Sequence, residues 1–290
     1  MKLESLRIGR LIKRYKRFLA DVELEDGSII TAHCPNPGSM KGVADEGMPV
    51  YLAYSDNKKR KLPYTLTVVV ADGSPVVVDT GIANRLVKEL LAESAIPELS
   101  GFAHCRAEPP YRDGRFDFLL SDFEQPRKEY SPGDCLVEVK STTLKEENRA
   151  MFPDALTERG RRHLARLSEA VTEQLRAVQL FLIARADTSF FSPAWQIDPQ
   201  YGEALVAASN AGVETLAYAM QVDMCRAGSG YDARISLKDK LHVDLSRPDR
   251  EPGDPGKDKS IGFKKGARLE YRESSKRRSC RSAEKSLREV

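Results

Sequence analysis

No stretch of this chain approaches the roughly 20 consecutive apolar residues that a membrane-spanning helix requires. Its first residues, Met1-Lys2-Leu3-Glu4-Ser5, lack the apolar segment of a secretory signal. Cysteine is sparse and unpatterned. The five residues Cys34, Cys105, Cys135, Cys225 and Cys280 are odd in number and form no Cys-x-x-Cys pair. That argues against a disulfide framework or a cysteine zinc site, and the expected setting is a reducing cytoplasm. The single tryptophan, Trp195, is expected to pack, and no internal repeat is visible. Neither sign of charge dominates: 46 basic residues face 43 acidic ones, a net of +3. The excess is local, because residues 246–290 hold 14 Lys/Arg against 8 Asp/Glu. The preceding body is slightly acidic, so nucleic-acid contact there must come from a patch rather than a global field.

What remains is a globular chain of 290 residues, 41% hydrophobic, long enough for one large or two ordinary domains. Short β-rich segments recur near residues 7–12, 18–24, 29–33, 49–55 and 64–70. They are punctuated by Asp26-Gly27, Pro35-Asn36-Pro37-Gly38 and Ser55-Asp56-Asn57. Five such strands suit a small closed barrel of the OB type, with a small sandwich as the alternative. From residue 81 the texture changes. Ile82, Leu86, Leu90 and Leu91 recur at helical spacing until Pro97. Strands follow near 103–108, 115–121 and 134–141, then a helix over 156–175, a buried strand over 177–185, a helix over 199–211 and a last strand over 213–222. Alternating helices and buried strands imply an α/β domain with a mixed central sheet. Beyond about residue 245, Pro248, Pro252 and Pro255 with few large apolar residues describe a basic, disordered tail.

Two short strands carry the chemistry. Along Cys135-Leu136-Val137-Glu138-Val139-Lys140 the period of two sends Glu138 and Lys140 to one face and Val137 and Val139 to the other. On Arg115-Phe116-Asp117-Phe118, Asp117 faces away from both phenylalanines. If these strands pair, two hard carboxylates and an ammonium converge beside apolar walls. Such a set suits Mg²⁺ or Mn²⁺ and metal-assisted phosphodiester chemistry. Taken alone, a Glu-x-Lys on a strand is more often a solvated face with a weak surface ion pair.

Two basic constellations accompany them. Arg10, Lys13, Arg14, Lys16 and Arg17 lie within eight positions with Tyr15 and Phe18 interleaved, suited equally to a nucleic-acid contact or a solvated turn. On the helix after Met151-Phe152-Pro153, capped by Asp154 or Thr157, the residues Arg159, Arg162, His163 and Arg166 fall at i, i+3, i+4 and i+7. That strip reads as a charged face or as a phosphate contact beside the acidic strands.

In combination, several segments resemble the sugar fermentation stimulation protein family over about residues 1–225. They are His33-Cys34-Pro35-Asn36-Pro37-Gly38-Ser39-Met40, Arg115 to Phe118, Leu136 to Leu144, Met151 to Leu164, Phe191-Ser192-Pro193-Ala194 and Asp198-Pro199-Gln200-Tyr201. The resemblance implies an OB-like β-barrel over 1–80, a restriction-endonuclease-like domain of PD-(D/E)xK type over 81–245, and a tail over 246–290 beyond the usual family length. It implies a DNA-binding protein linked to regulation of sugar (maltose) use. By the same resemblance Asp117, Glu138 and Lys140 match the nuclease core, and Glu89 is a weaker further acid. Pro37 departs from the threonine of the family's Asn-Thr-Gly-Ser-Met turn.

Three readings follow. One is a DNA-binding regulator whose nuclease-like domain serves binding. Another is a nuclease in which Asp117 and Glu138, with the Val139 carbonyl, bind Mg²⁺ or Mn²⁺. There Lys140 positions the water and Arg159 or His163 contacts phosphate. The third is a scaffold whose tail is the adhesive element. DNA is the expected partner, no membrane is, and the oligomeric state stays open, a homodimer included.

Overall fold

The computed structural model describes residues 1–124 and 129–248. Six strands build the N-terminal half: β1 (Lys2–Tyr15), β2 (Leu19–Leu24), β3 (Ile29–His33), β4 (Pro49–Tyr54), β5 (Tyr64–Ala71) and β6 (Ser74–Val77). Pairing runs β1–β2–β3–β5–β4 and back to β1, with the β3–β5 join made by the single pair His33↔Thr65. Alternation explains the layer: Leu11, Ala20, Val22, Val50, Leu52, Leu66 and Val69 all point into one buried cluster. The turn from β1 to β2 places Lys16 and Arg17 at φ +47° and +63°.

The first strand is longer than expected and belongs to two sheets. Its start pairs with β17 (Gly230–Lys240), and from Arg7 onward it pairs with β4 and β2. The changeover falls at an irregularity between Leu3 and Leu6, where Ser5 has φ +56°. Such a bulge re-aims a strand.

α1 (Thr80–Ala92) begins at Asp79, whose carboxylate accepts from the Gly81 amide at 2.9 Å, and buries Ile82, Ala83, Leu86, Val87 and Leu90. After a 3₁₀ turn at Pro97–Leu99 come β7 (His104–Ala107), β8 (Pro110–Tyr111), β9 (Gly114–Arg115), β10 (Phe118–Ser121), β11 (Cys135–Thr142), β12 (Lys145–Glu146) and β13 (Arg149–Phe152). Then follow α2 (Glu158–Thr172), β14 (Arg176–Ile183), β15 (Phe190–Pro193), α3 (Pro199–Asn210), β16 (Glu214–Ala227), β17 and β18 (His242–Val243). The main sheet runs β1-β17-β16-β14-β11-β10-β7 and is mixed, with β11–β14 and β14–β16 parallel and the other neighbours antiparallel. α1 covers one face with Val137, Val139, Leu180 and Leu182; α2 and α3 cover the other with Leu136, Ala177, Phe181 and Ile183. β12, β13, β15 and β18 form a small second sheet.

Two expectations need correction. The strand read as the last, over 213–222, continues to Ala227 and turns into β17. The sequence of β17, Gly-Tyr-Asp-Ala-Arg-Ile-Ser-Leu-Lys-Asp-Lys, carries too few apolar residues to stand out. The helix expected over 156–175 begins after Leu156, which is 77% exposed. Its cap is Thr157, accepting from Gly160 N at 3.1 Å, whereas Asp154 is engaged elsewhere. The basic tail lies, from residue 249, outside the described residues.

Two buried charges tie layers together. Arg185, 2% exposed, donates to Asp187 at 2.6 and 2.8 Å, to Asp72 on the β5–β6 turn at 3.2 Å and to the Thr143 carbonyl at 3.3 Å. Asp198 caps α3 through Tyr201 N at 3.0 Å, accepts from Thr157 N at 2.8 Å and from Arg161 with both oxygens at 3.2 Å. It thereby fixes the start of α2 against α3, which meet closely where a Cβ on Gly160 would lie 2.9 Å from the Tyr201 ring. Urea denaturation of Asp198→Ala should show a loss of about 2 kcal/mol, from the missing cap and the orphaned Thr157 amide.

Candidate functional site

β11 sits between β10 and β14, so both edges of Glu138 and Lys140's strand are hydrogen-bonded within the sheet. Glu138 projects toward α2 and is 3% exposed. One of its oxygens accepts from both Lys140 Nζ and His163 Nδ1. Burial alone would raise the Glu138 pKa; the His163 hydrogen bond and the Lys140 charge outweigh it and hold the carboxyl below the ordinary range. On the far side of the ring, Arg159 Nε donates to His163 Nε2 at 3.3 Å. A guanidinium has no acceptor, so the imidazole carries its proton on Nδ1 and gives it to Glu138. Lys140 Nζ lies 3.5 Å from that same Nδ1 and is still partly open to solvent. From the neighbouring strand, Gln179 Nε2 donates to the Glu138 carbonyl at 3.0 Å, fixing the backbone beneath the carboxylate.

Asp117 occupies the break between β9 and β10, where its own amide donates to the Val137 carbonyl at 3.1 Å. Its carboxylate accepts from the Val139 amide at 2.7 Å and from Asn84 Nδ2 of α1 at 2.6 Å. Even so, burial first and the Glu138 charge second raise its pKa above the usual carboxylate value. The Glu138 charge therefore reaches Asp117 across the Val139 peptide, and Lys140 offsets it only in part. Among the described residues no three His, Cys, Asp or Glu side chains form a ready metal cage. The donors that do converge are hard oxygens, which fit a cation that keeps several of its waters, and not zinc.

Asp117, Glu138, Lys140, His163 and Arg159 thus come together. Arg162 does not join them. It pairs with Glu158 at 2.9 Å on the exposed side of α2, while Arg166 pairs with Asp113 at 2.5 Å. The strip read along α2 is split by the turn of about 100° between successive helical residues, with His163 turned inward and Arg162 outward. Glu89 is also elsewhere, 3.1 Å from the N-terminal amine of Met1. Asn84 and Gln179 were invisible in the sequence, because only the α1–β10 and β11–β14 contacts give them a partner.

The barrel residues stand apart from this cluster. Arg14, read in the sequence equally as a nucleic-acid contact or as part of a solvated turn, donates from its guanidinium to the carbonyls of Asn36, Gly38, Ser39 and Arg17 at 2.8–3.2 Å and organises the turn. Arg10 reaches the Gly47 carbonyl at 3.4 Å, and Lys13 lies 3.6 Å from Asp21 and over the Tyr15 ring. Lys16 and Arg17 are exposed. The turn that Arg14 holds docks on Asp154, which accepts from Met40 N at 3.0 Å and Ser39 Oγ at 3.2 Å. A Cβ on Gly38 would meet that carboxylate at 2.5 Å. Thr80 Oγ1, at the start of α1, donates to the Pro35 carbonyl at 2.9 Å. With Asn36 and Ser39 making the polar contacts, the turn forms with proline at position 37.

Comparison with known proteins now adds a lineage. The model of the sugar fermentation stimulation protein RE domain matches residues 81–226, and that of the SfsA N-terminal OB domain matches 12–78. The chain belongs to the sugar fermentation stimulation protein family. A family homolog from Magnetococcus marinus is 50% identical over 213 residues, covering 73% of this chain and 88% of the relative. One from Geobacter sulfurreducens is 49% identical over 211 residues, covering 72% and 87%. Among solved structures, Pyrococcus furiosus SfsA in complex with Ca²⁺ superposes with a TM-score of 0.71 at 28% identity, covering 84% of this chain and 98% of that one. The fold is accordingly an OB domain followed by the family's second domain on a mixed sheet. No helix among the described residues is long and apolar enough to cross a membrane.

Proposed function

We propose that this protein binds DNA, with a part in the regulation of sugar (maltose) metabolism, and that Asp117, Glu138 and Lys140 form a PD-(D/E)xK-type centre for phosphodiester hydrolysis. The observation that carries the reading is the pair of carboxylates on either side of the Val139 peptide, one of them, Asp117, with its pKa raised by burial first and by the Glu138 charge second. A relative in this family was solved in complex with Ca²⁺, which supports a divalent cation here. When bound, Mg²⁺ or Mn²⁺ supplies Lewis-acid polarisation of a phosphoryl oxygen and a more acidic water. The chain's own residues do the rest. Asp117 and Glu138 hold the cation. The Lys140 ammonium orients a water and offsets charge developing on phosphate. His163, itself aligned by Arg159, keeps Glu138 charged and in one orientation.

The test is incubation of the full chain with labelled single-stranded and duplex DNA, first in EDTA and then with Mg²⁺, Mn²⁺ or Ca²⁺. DNA should be retained in EDTA and cut with Mg²⁺ or Mn²⁺. Cutting that survives in Asp117→Ala would expose a contaminant, and retention without cutting under every metal would leave a binding protein alone.

A further inference from the structure

Among the described residues, one side chain hydrogen-bonds the Asp117 carboxylate, and it comes from a separate element of the fold. Asn84 stands in the first half of α1, exposed to solvent, with its Nδ2 2.6 Å from Asp117 Oδ1. The helix that carries it is firmly placed. Asp79 caps it, Thr80 ties it to the Pro35 carbonyl at 2.9 Å, and Ile82, Ala83 and Leu86 are buried along its inner side. The part left able to turn is the exposed amide. The cation next to it on α1 does not compete for the place. Arg85 is turned back to the Gly81 carbonyl at 3.3 Å and lies 3.9 Å from Asp79.

The oxygens of the two carboxylates are unequally committed. Glu138 Oε1 accepts from both Lys140 and His163, and Asp117 Oδ2 accepts from the Val139 amide at 2.7 Å. Asp117 Oδ1 accepts from Asn84 alone among the described residues. An amide tip has a donor end, NH₂, and an acceptor end, C=O, of nearly equal size. A dication on Asp117 Oδ1 would meet the donor end, whose hydrogens carry positive charge. Half a turn about the last bond of Asn84 puts the carbonyl oxygen in that place and hands the NH₂ to water.

The spacing suits such an exchange. Neighbouring corners of an octahedron with bonds of about 2.1 Å lie about 3 Å apart, a little more than the present separation of the two tips. Amide oxygens are ordinary ligands of hard cations, alongside carboxylates and water. We propose that Asn84 is a ligand of the divalent cation, giving its side-chain carbonyl oxygen beside the carboxylates of Asp117 and Glu138. This rests on the metal-binding reading above and adds to it a neutral donor supplied by α1.

The test uses Mn²⁺ and the full chain without DNA. Calorimetry gives the affinity, and water-proton relaxation counts the waters that bound Mn²⁺ keeps. Asn84→Ala should bind Mn²⁺ about tenfold or more weakly than the wild type, and its Mn²⁺ should carry one additional water. Alanine is well tolerated at an exposed helical position, so the fold should survive the change. Asn84→Asp, which returns an oxygen to the same place, should restore the wild-type water number. An unchanged water number in Asn84→Ala, even with weaker binding, overturns the assignment, because a donor that only steadied Asp117 leaves the coordination shell as it was. Undiminished affinity in Asn84→Ala overturns it too. If Asp117→Ala alone loses Mn²⁺, the centre stands without Asn84. A wild-type chain that takes up no Mn²⁺ removes the centre and the ligand together.

Discussion

Lys140→Ala should cut DNA about 10³-fold more slowly than the wild type while still binding Mn²⁺. The ammonium is not a metal donor; it lies against the Glu138 carboxylate, and in the proposed centre its charge would meet a phosphate and its attacking water there. Removing it leaves Asp117 with its Val139 and Asn84 bonds and Glu138 with its His163 bond. Asp117→Ala should fail differently, losing both cutting and Mn²⁺ affinity, since one of the two hard-oxygen ligands is gone. Isothermal calorimetry with Mn²⁺ beside a single-turnover cleavage assay separates the two. Equal Mn²⁺ affinity in wild type and Asp117→Ala would place the metal elsewhere.

The largest loss of stability is expected from Arg185→Met. The guanidinium is buried and shares Asp187, Asp72 and the Thr143 carbonyl, so deletion leaves the Thr143 carbonyl and the largely covered Asp187 without their buried donor, while Asp72 is open to water. Breaking a buried pair from one side costs about 3–5 kcal/mol. Lys145 remains 2.5 Å from Asp187, which favours the lower end. A pH signature accompanies it. Burial pushes the Asp187 carboxyl up, but the Arg185 and Lys145 hydrogen bonds prevail and bring it down to about 2 from 3.8. A depressed folded-state value contributes stability that is complete above 3.8 and lost as the pH falls toward 2. Wild-type urea midpoints should therefore decline across that window more steeply than those of Arg185→Met. Parallel curves would mean that Arg185 is not what holds Asp187 ionised.

Much of the centre could be read in the sequence because strand alternation is strict. Glu138 and Lys140 share a face whatever surrounds them, and Val137 and Val139 point the opposite way. Helical spacing carries less information when residues of one kind encircle the axis. Arg159, His163 and Arg162 looked equivalent until the packing of α2 chose His163 for the interior. Asn84, Gln179 and Arg185 gave no signal, since a lone polar residue acquires meaning only from a partner 33 to 113 positions away. The barrel cluster was open to two readings for a related reason: Arg14 is as basic as its neighbours, yet three carbonyls of the 36–39 turn and that of Arg17 take up its donors. β17 escaped notice because its alternation is carried by Ala, Ile and Leu among six polar or charged positions.

That β1 serves two sheets has a mechanical corollary. Its first residues are laced to β17 and its later ones to β4 and β2, so no free linker exists at which the OB domain could swing. Any reorientation would have to unzip a ladder in mid-strand. Were DNA bound as proposed, grip on it would have to come from loops and side-chain rotations, and the spacing between barrel and carboxylates is built in rather than adjusted on contact, as in a jig rather than a pair of jaws.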